Sequence, residues 1–137
     1  MTIPQPTDLP ILLTDADVLA RVRTLVGPAC TDRQLWIMFV DGDGRQAPVL
    51  MPISDLPRHP DPGRVTNLAR ILGGLHDELA TDLGPGSVIL TLERRGPDST
   101  LPQDREWAQA LTDACIAGRV ELRGIFLSTR GGVRRLL

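Results

Sequence analysis

Residues 87–105, SVILTLERRGPDSTLPQDR, decide how the rest of the chain is read. Val88 to Leu92 is apolar apart from Thr91, as expected of a strand buried on both faces of a sheet. The charged and turn-forming residues that follow, with Gly96, Pro97 and Asp98, read as a loop, and Pro102 stands where a helix can open. Downstream, Trp107, Ala108, Leu111, Ala114 and Cys115 recur at helical spacing up to Gly118. Glu121 to Ser128 reads as a strand, Arg130-Gly131-Gly132 as a turn, and Val133 to Leu137 as a short final strand.

Upstream, Val18, Leu19, Val22, Leu25 and Val26 repeat at steps of three and four, with Thr14 or Asp15 as the cap and Gly27-Pro28 as the stop. Gln34 to Val40 is apolar on both alternating faces, Asp41-Gly42-Asp43-Gly44 is a turn, and Val49 to Ile53 returns as the second strand of a hairpin. Proline-rich Asp55 to Gly63 reads as a loop. Val65, Leu68, Ala69, Leu72, Leu75, Leu79 and Leu83 then form the stripe of one long helix that Gly84-Pro85-Gly86 ends. Gly73-Gly74 inside it costs roughly 1 kcal/mol per glycine relative to alanine, so the helix bends there or another element comes close. The expected fold is α/β (α+β): a single domain over residues 14–137 with a mixed sheet in the order α-β-β-α-β-α-β-β, preceded by a flexible arm over residues 1–13.

A chain of 137 residues with 42% hydrophobic residues buries one ordinary core. All fifteen basic residues are arginine, a bias that suits a GC-rich genome more than a particular task. The net charge of -2 gives no general attraction to nucleic acid. Cys30 and Cys115 form no CxxC, which fits a reducing compartment. The opening MTIPQPTDLP lacks a basic region followed by an apolar core, and no apolar run reaches about 18 residues, so a soluble cytoplasmic protein without membrane partners is expected.

The strand, polar loop, amphipathic helix, strand and Gly-Gly hairpin of the C-terminal half resemble the RadC-type branch of the JAB (MPN/JAMM) domains, and the upstream helix, hairpin and long helix follow the same order. The resemblance spans Thr14 to Leu137. It implies a JAB/MPN-like fold and a zinc site made from a His-x-His after the strand, a serine and an aspartate at the end of the loop, and an upstream glutamate as general acid/base. In this chain Leu92 and Arg94 stand at the histidine positions, Thr100 or Leu101 near the serine, and Asp104 at the aspartate; Val49 to Ile53 contains no glutamate. A catalytic zinc normally takes three protein ligands, so the resemblance implies a degenerate site with no catalytic residues, no metal and no cofactor. The guanidinium of Arg94 would lie where the cation sits in the family.

Other residues carry weaker chemical signals. Asp41-Gly42-Asp43-Gly44 has Pro52 at the twelfth position, where a calcium loop needs a bidentate glutamate, and is read as a turn. Gly84-Pro85-Gly86-Ser87 lacks the lysine and following helix of a phosphate loop. His76 beside Asp77 and Glu78, and His59 near Asp61, are read as structural, Asp104 also as a helix-start charge, Cys115 as core, and Cys30 as carrying no nucleophile signature. Arg119, Arg123, Arg130, Arg134 and Arg135, joined by Arg94 and Arg95 if their strands are neighbours, form a possible anion-binding patch without interleaved aromatics.

The expected function is therefore a non-catalytic RadC/JAB-like domain acting through an unknown protein partner or as a homo-oligomer, with Trp36 and Met38 facing outward from the hairpin. Two alternatives stand beside it. One is a metal-dependent hydrolase with a displaced site built from Asp104, His59, His76 or Glu93; the other is a nucleic-acid-associated protein using the C-terminal arginines.

Overall fold

Every residue of β3 (Ser87–Glu93) is buried, because the strand lies mid-sheet with helices over both faces. The computed structural model describes residues 9–75 and 78–137. Among these the chain also forms α1 (Asp15–Leu25), β1 (Gln34–Val40), β2 (Gln46–Ile53), α2 (Pro62–Leu75), α3 (Pro102–Ala117), β4 (Glu121–Thr129) and β5 (Gly132–Arg135). The strands form one sheet in the order β2-β1-β3-β4-β5, with β3 and β4 parallel and the other neighbours antiparallel. The mixed α/β class expected from the sequence is the class observed.

Strand alternation divides the core in two. Leu35, Ile37, Leu90, Leu92, Ile125 and Leu127 point to the face covered by α2 and α3. Met38, Val40, Ile89, Phe126 and Val133 point to the other, where Val18 and Val22 of α1 cover them. Thr14 caps α1 through its hydroxyl, which accepts from the Asp17 amide, while the Asp17 carboxylate accepts from the Thr14 amide.

The Gly73-Gly74 question resolves as a close approach. α2 runs unbroken through both glycines, and the end of α3 lies against it. A Cβ on Gly118 would sit 2.7 Å from the Ala69 carbonyl oxygen, while one on Gly74 would meet nothing within 4 Å. Gly118 is not itself the left-handed residue that closes α3. Arg119 takes that role with φ 57°, with bonds from the Arg119 amide to the Ile116 carbonyl and from the Val120 amide to the Cys115 carbonyl. The glycine is there for helix contact.

Several boundaries differ from the sequence reading. Among the described residues the long helix is Pro62–Leu75, beginning inside the expected loop; Leu83, placed on its apolar stripe, is 78% exposed in the turn closed by the Thr81–Gly84 bridge. β2 starts at Gln46, three residues before the expected Val49, and β4 and β5 are Glu121–Thr129 and Gly132–Arg135. Residues 9–13, counted with the arm, are docked: Leu9 and Leu12 are buried, and the Leu12 amide and Pro10 carbonyl bond to Gly44 and Gln46. Trp36 and Met38 do not form an outward face. Met38 lies under α1, and Trp36 is tied to Glu93.

Substituting Gly118 by Ala should cost about 1–3 kcal/mol in urea unfolding, because the new methyl must displace α2, whereas Gly74→Ala should be neutral or stabilise by up to about 1 kcal/mol. Equal effects would contradict the packing role of Gly118.

Candidate functional site

The β3–α3–β4 crossover brings the carboxyl end of β3 beside the first turn of α3, the region where α/β sheets commonly place their ligands. Three sequence-selected positions meet here. Leu92 is buried in the core on the α3 face. Arg94, two residues on, turns to the same side, and Asp104 comes from the first turn of α3; they are 4% and 3% exposed.

The Arg94 guanidinium and the Asp104 carboxylate form a two-pronged pair, Nε to Oδ1 at 2.8 Å and Nη2 to Oδ2 at 2.7 Å. Nη1 donates to the carbonyls of Arg95 and Pro97, and Nη2 also to that of Ser99. All five N–H groups of the guanidinium are thereby used. Asp104 Oδ2 further accepts the Leu101 amide at 2.8 Å. Leu101 is the N-cap of α3 and has no side-chain acceptor, so Asp104 performs its half of a capping box alone. The space left beside the pair, also bordered by Leu92, Trp107 and Gln103, is about 20 Å³, room for about one water.

Glu93 lies between Leu92 and Arg94 and points to the opposite face. Its carboxylate accepts the amides of Cys30 at 2.6 Å and Thr31 at 3.0 Å, and the Trp36 indole N–H at 2.9 Å. Burial pushes its pKa up, but these donors outweigh burial and hold it below the ordinary value of 4.5.

Among the described residues the displaced metal site does not assemble. Asp104 and Glu93 are committed to N–H donors on different faces. His59 Nδ1 lies 2.6 Å from the Glu106 carboxylate on the surface rather than beside Asp61, and His76 and Asp77 lie outside the described residues. Among the described residues, no group of three His, Cys, Asp or Glu side chains is arranged to hold a metal ion.

The predicted arginine patch is only partly continuous: Arg95 and Arg130 line one hollow, and Arg135 reaches the Arg123 carbonyl. Nine residues of β4, about 30 Å at roughly 3.3 Å each, separate Arg119 from Arg130. Arg123 donates to the Leu12 carbonyl, Arg134 to the Asp98 carbonyl and the Thr100 hydroxyl, and Arg135 stacks on Phe126 while pairing with Asp15. Arg94 is buried and cannot join them. The Asp41 carboxylate accepts the amides of Asp43 and Arg45, the arrangement of a turn. Cys115 is buried, and burial raises its thiol pKa to about 11; Cys30 is exposed, and both are free. The indole bond to Glu93 escaped the sequence reading, because nothing local links residues 57 positions apart.

No family model, no curated protein and no solved structure matches the chain. No helix among the described residues is long and apolar enough to cross a membrane.

Arg94→Met should cost about 3–5 kcal/mol in urea unfolding, since it strands the buried Asp104 charge, and Arg94→Met/Asp104→Leu should cost clearly less than the two single changes summed. Simple additivity would show that the pair is not energetically coupled. Because Glu93 has a depressed folded pKa, its contribution is present above the ordinary carboxylate range and fades as pH falls through the folded pKa. Glu93→Gln should therefore lower stability at pH 7 and flatten the loss of stability below about pH 4.5 in acid titrations followed by Trp36 fluorescence. An unchanged acid limb would show that other carboxylates control it.

Proposed function

We propose that the chain is a non-catalytic RadC/JAB-like domain that acts as a protein-interaction or scaffold module. The observation that carries this reading is the Arg94–Asp104 pair. The family resemblance assigns these two positions to metal ligands, and here their side chains meet in a hydrogen bond of 2.7 Å. The guanidinium supplies the positive charge that zinc would supply, and it spends every N–H group on carboxylate and carbonyl oxygens. An arginine offers no lone pair to a cation, and Leu92 offers none either. With no metal to lower the pKa of a water and room for about one water beside the pair, the place lacks both the nucleophile and the cleft for peptide hydrolysis.

A module of this kind keeps the fold for the surfaces it presents. In this reading the ion pair is structural: it holds the loop over residues 95–100 and the first turn of α3 in one arrangement. Partner recognition then falls to the surface around that frame, in keeping with a protein partner rather than a small reacting substrate at the end of β3.

The test is a thermal melt with excess chelator, then with zinc or manganese, together with elemental analysis of the purified protein. A metal bound only by the folded state at 100 times its dissociation constant would add about 2.7 kcal/mol and raise the midpoint by several degrees. No bound metal and no shift are expected, and a clear metal-dependent rise would overturn the proposal. Leu92→His/Arg94→His tests the family assignment in the other direction. With Asp104 it presents three zinc donors, and the folded variant should gain stoichiometric zinc; a folded variant that takes none would count against the JAB-like assignment.

A further inference from the structure

A second concavity lies between α2 and the β1–β2 side of the sheet, separated from the space beside the Arg94–Asp104 pair by Leu56 and Trp107, with a volume of about 210 Å³. Buried Leu35 and Leu68 form its floor, and Ile53, Val65, Ile71 and Trp107 form its walls. Ile71 is 44% exposed at the rim, which is unusual for an isoleucine with an apolar face to pack against. The Trp107 ring is held in place by its N–H, which donates to the carbonyls of Pro57 and Arg58 at 3.1 Å each. These bonds fix the orientation of one wall of the hollow.

Its polar character is one-sided. Arg64 and Asn67, one turn apart on α2, are the polar residues of the lining, and no carboxylate lines it. Among the described residues neither side chain has a hydrogen-bond or ion-pair partner. The first turn of α2 contains no acidic residue; the nearest, Asp61, spends an oxygen on the Gly63 amide. A preformed, mostly apolar cavity with a few placed polar groups is the usual form of a small-ligand site. A volume of this size takes a short ligand of several non-hydrogen atoms.

We propose that this groove binds a small amphiphilic monocarboxylate, its short apolar body against Trp107, Leu68 and Ile71 and its carboxylate at Arg64 and Asn67. The cationic mouth selects the anion, and the apolar walls select the body. The site shares no polar group with the Arg94–Asp104 pair, so its failure would leave the non-catalytic reading standing, and the reverse.

Hexanoate, 1-hexanol and hexylammonium are suitable probes, followed by amide NMR spectra of the intact chain, whose two tryptophans give only two indole signals. Hexanoate should shift the Trp107 indole and the amides of residues 64–71 saturably, with a dissociation constant on the order of 1 mM for a ligand of this size. Hexanol should bind about tenfold more weakly, the worth of one charge-assisted hydrogen bond, and hexylammonium more weakly still. Arg64→Gln should bring hexanoate to the level of hexanol without altering hexanol. Ile71→Asp, a change at a half-exposed rim position, should abolish both while the spectrum stays dispersed. No saturable shift, shifts that map outside the groove, equal binding of the anionic and cationic probes, or full retention in Arg64→Gln would each overturn the proposal.

Discussion

The arrangement around the end of β3 depends on one guanidinium. Burying an arginine is costly unless its charge is matched and each N–H finds an acceptor. Arg94 meets both conditions, through one carboxylate and three backbone carbonyls. A lysine could not replace it, because a point charge with three donors cannot hold a planar pair with Asp104 and also close a loop. The carbonyls it gathers belong to Arg95, Pro97 and Ser99, so the loop is shaped around the side chain. That loop in turn carries Asp98, whose carboxylate accepts the Thr129 hydroxyl and the Gly131 amide and so fastens the β4–β5 turn. Those donors, the Thr129 hydroxyl first, keep the Asp98 pKa below the ordinary carboxylate value.

The residue before Arg94 does comparable work on the other face. Glu93 receives the two amides of Cys30 and Thr31 and the indole of Trp36, which joins the segment after α1 to the sheet. Strand alternation sends neighbouring charged residues in opposite directions, and each is neutralised by groups from different parts of the chain. The carboxyl end of a parallel strand, where an α/β protein often opens a cleft, is here filled from both sides. Open space lies instead beside α2, next to Trp107, whose indole N–H is bonded to the carbonyls of Pro57 and Arg58.

Much of the scaffold was legible in the residues. The apolar run of Val88 to Leu92 announced a strand covered on both faces, and the stripe from Trp107 to Cys115 announced α3 with its buried side correctly placed. Leu83 misled because it continued the spacing of α2 past the point where the chain leaves the helix. Leu9 and Leu12 looked like part of a proline-broken arm because their partners, Arg45 and Gly44, are distant in sequence. Gly118 was legible as a helix end, yet its reason, the Ala69 carbonyl on another helix, was not.

The candidate site divides along the same line. The sequence by itself determined that Leu92 and Arg94 share one face of a strand, that Glu93 takes the other, and that Asp104 opens a helix, since these follow from periods of two and of about three and a half. It also showed that zinc donors are missing where the resemblance places them. Only the tertiary structure decided that Arg94 and Asp104 pair, that Glu93 meets Trp36 and the Cys30 amide, and that Arg123 and Arg134 bond to the Leu12 carbonyl and the Thr100 hydroxyl. Periodicity is a property of neighbours along the chain, whereas the partner of a buried charge is chosen by the need to satisfy it once distant segments have closed around it.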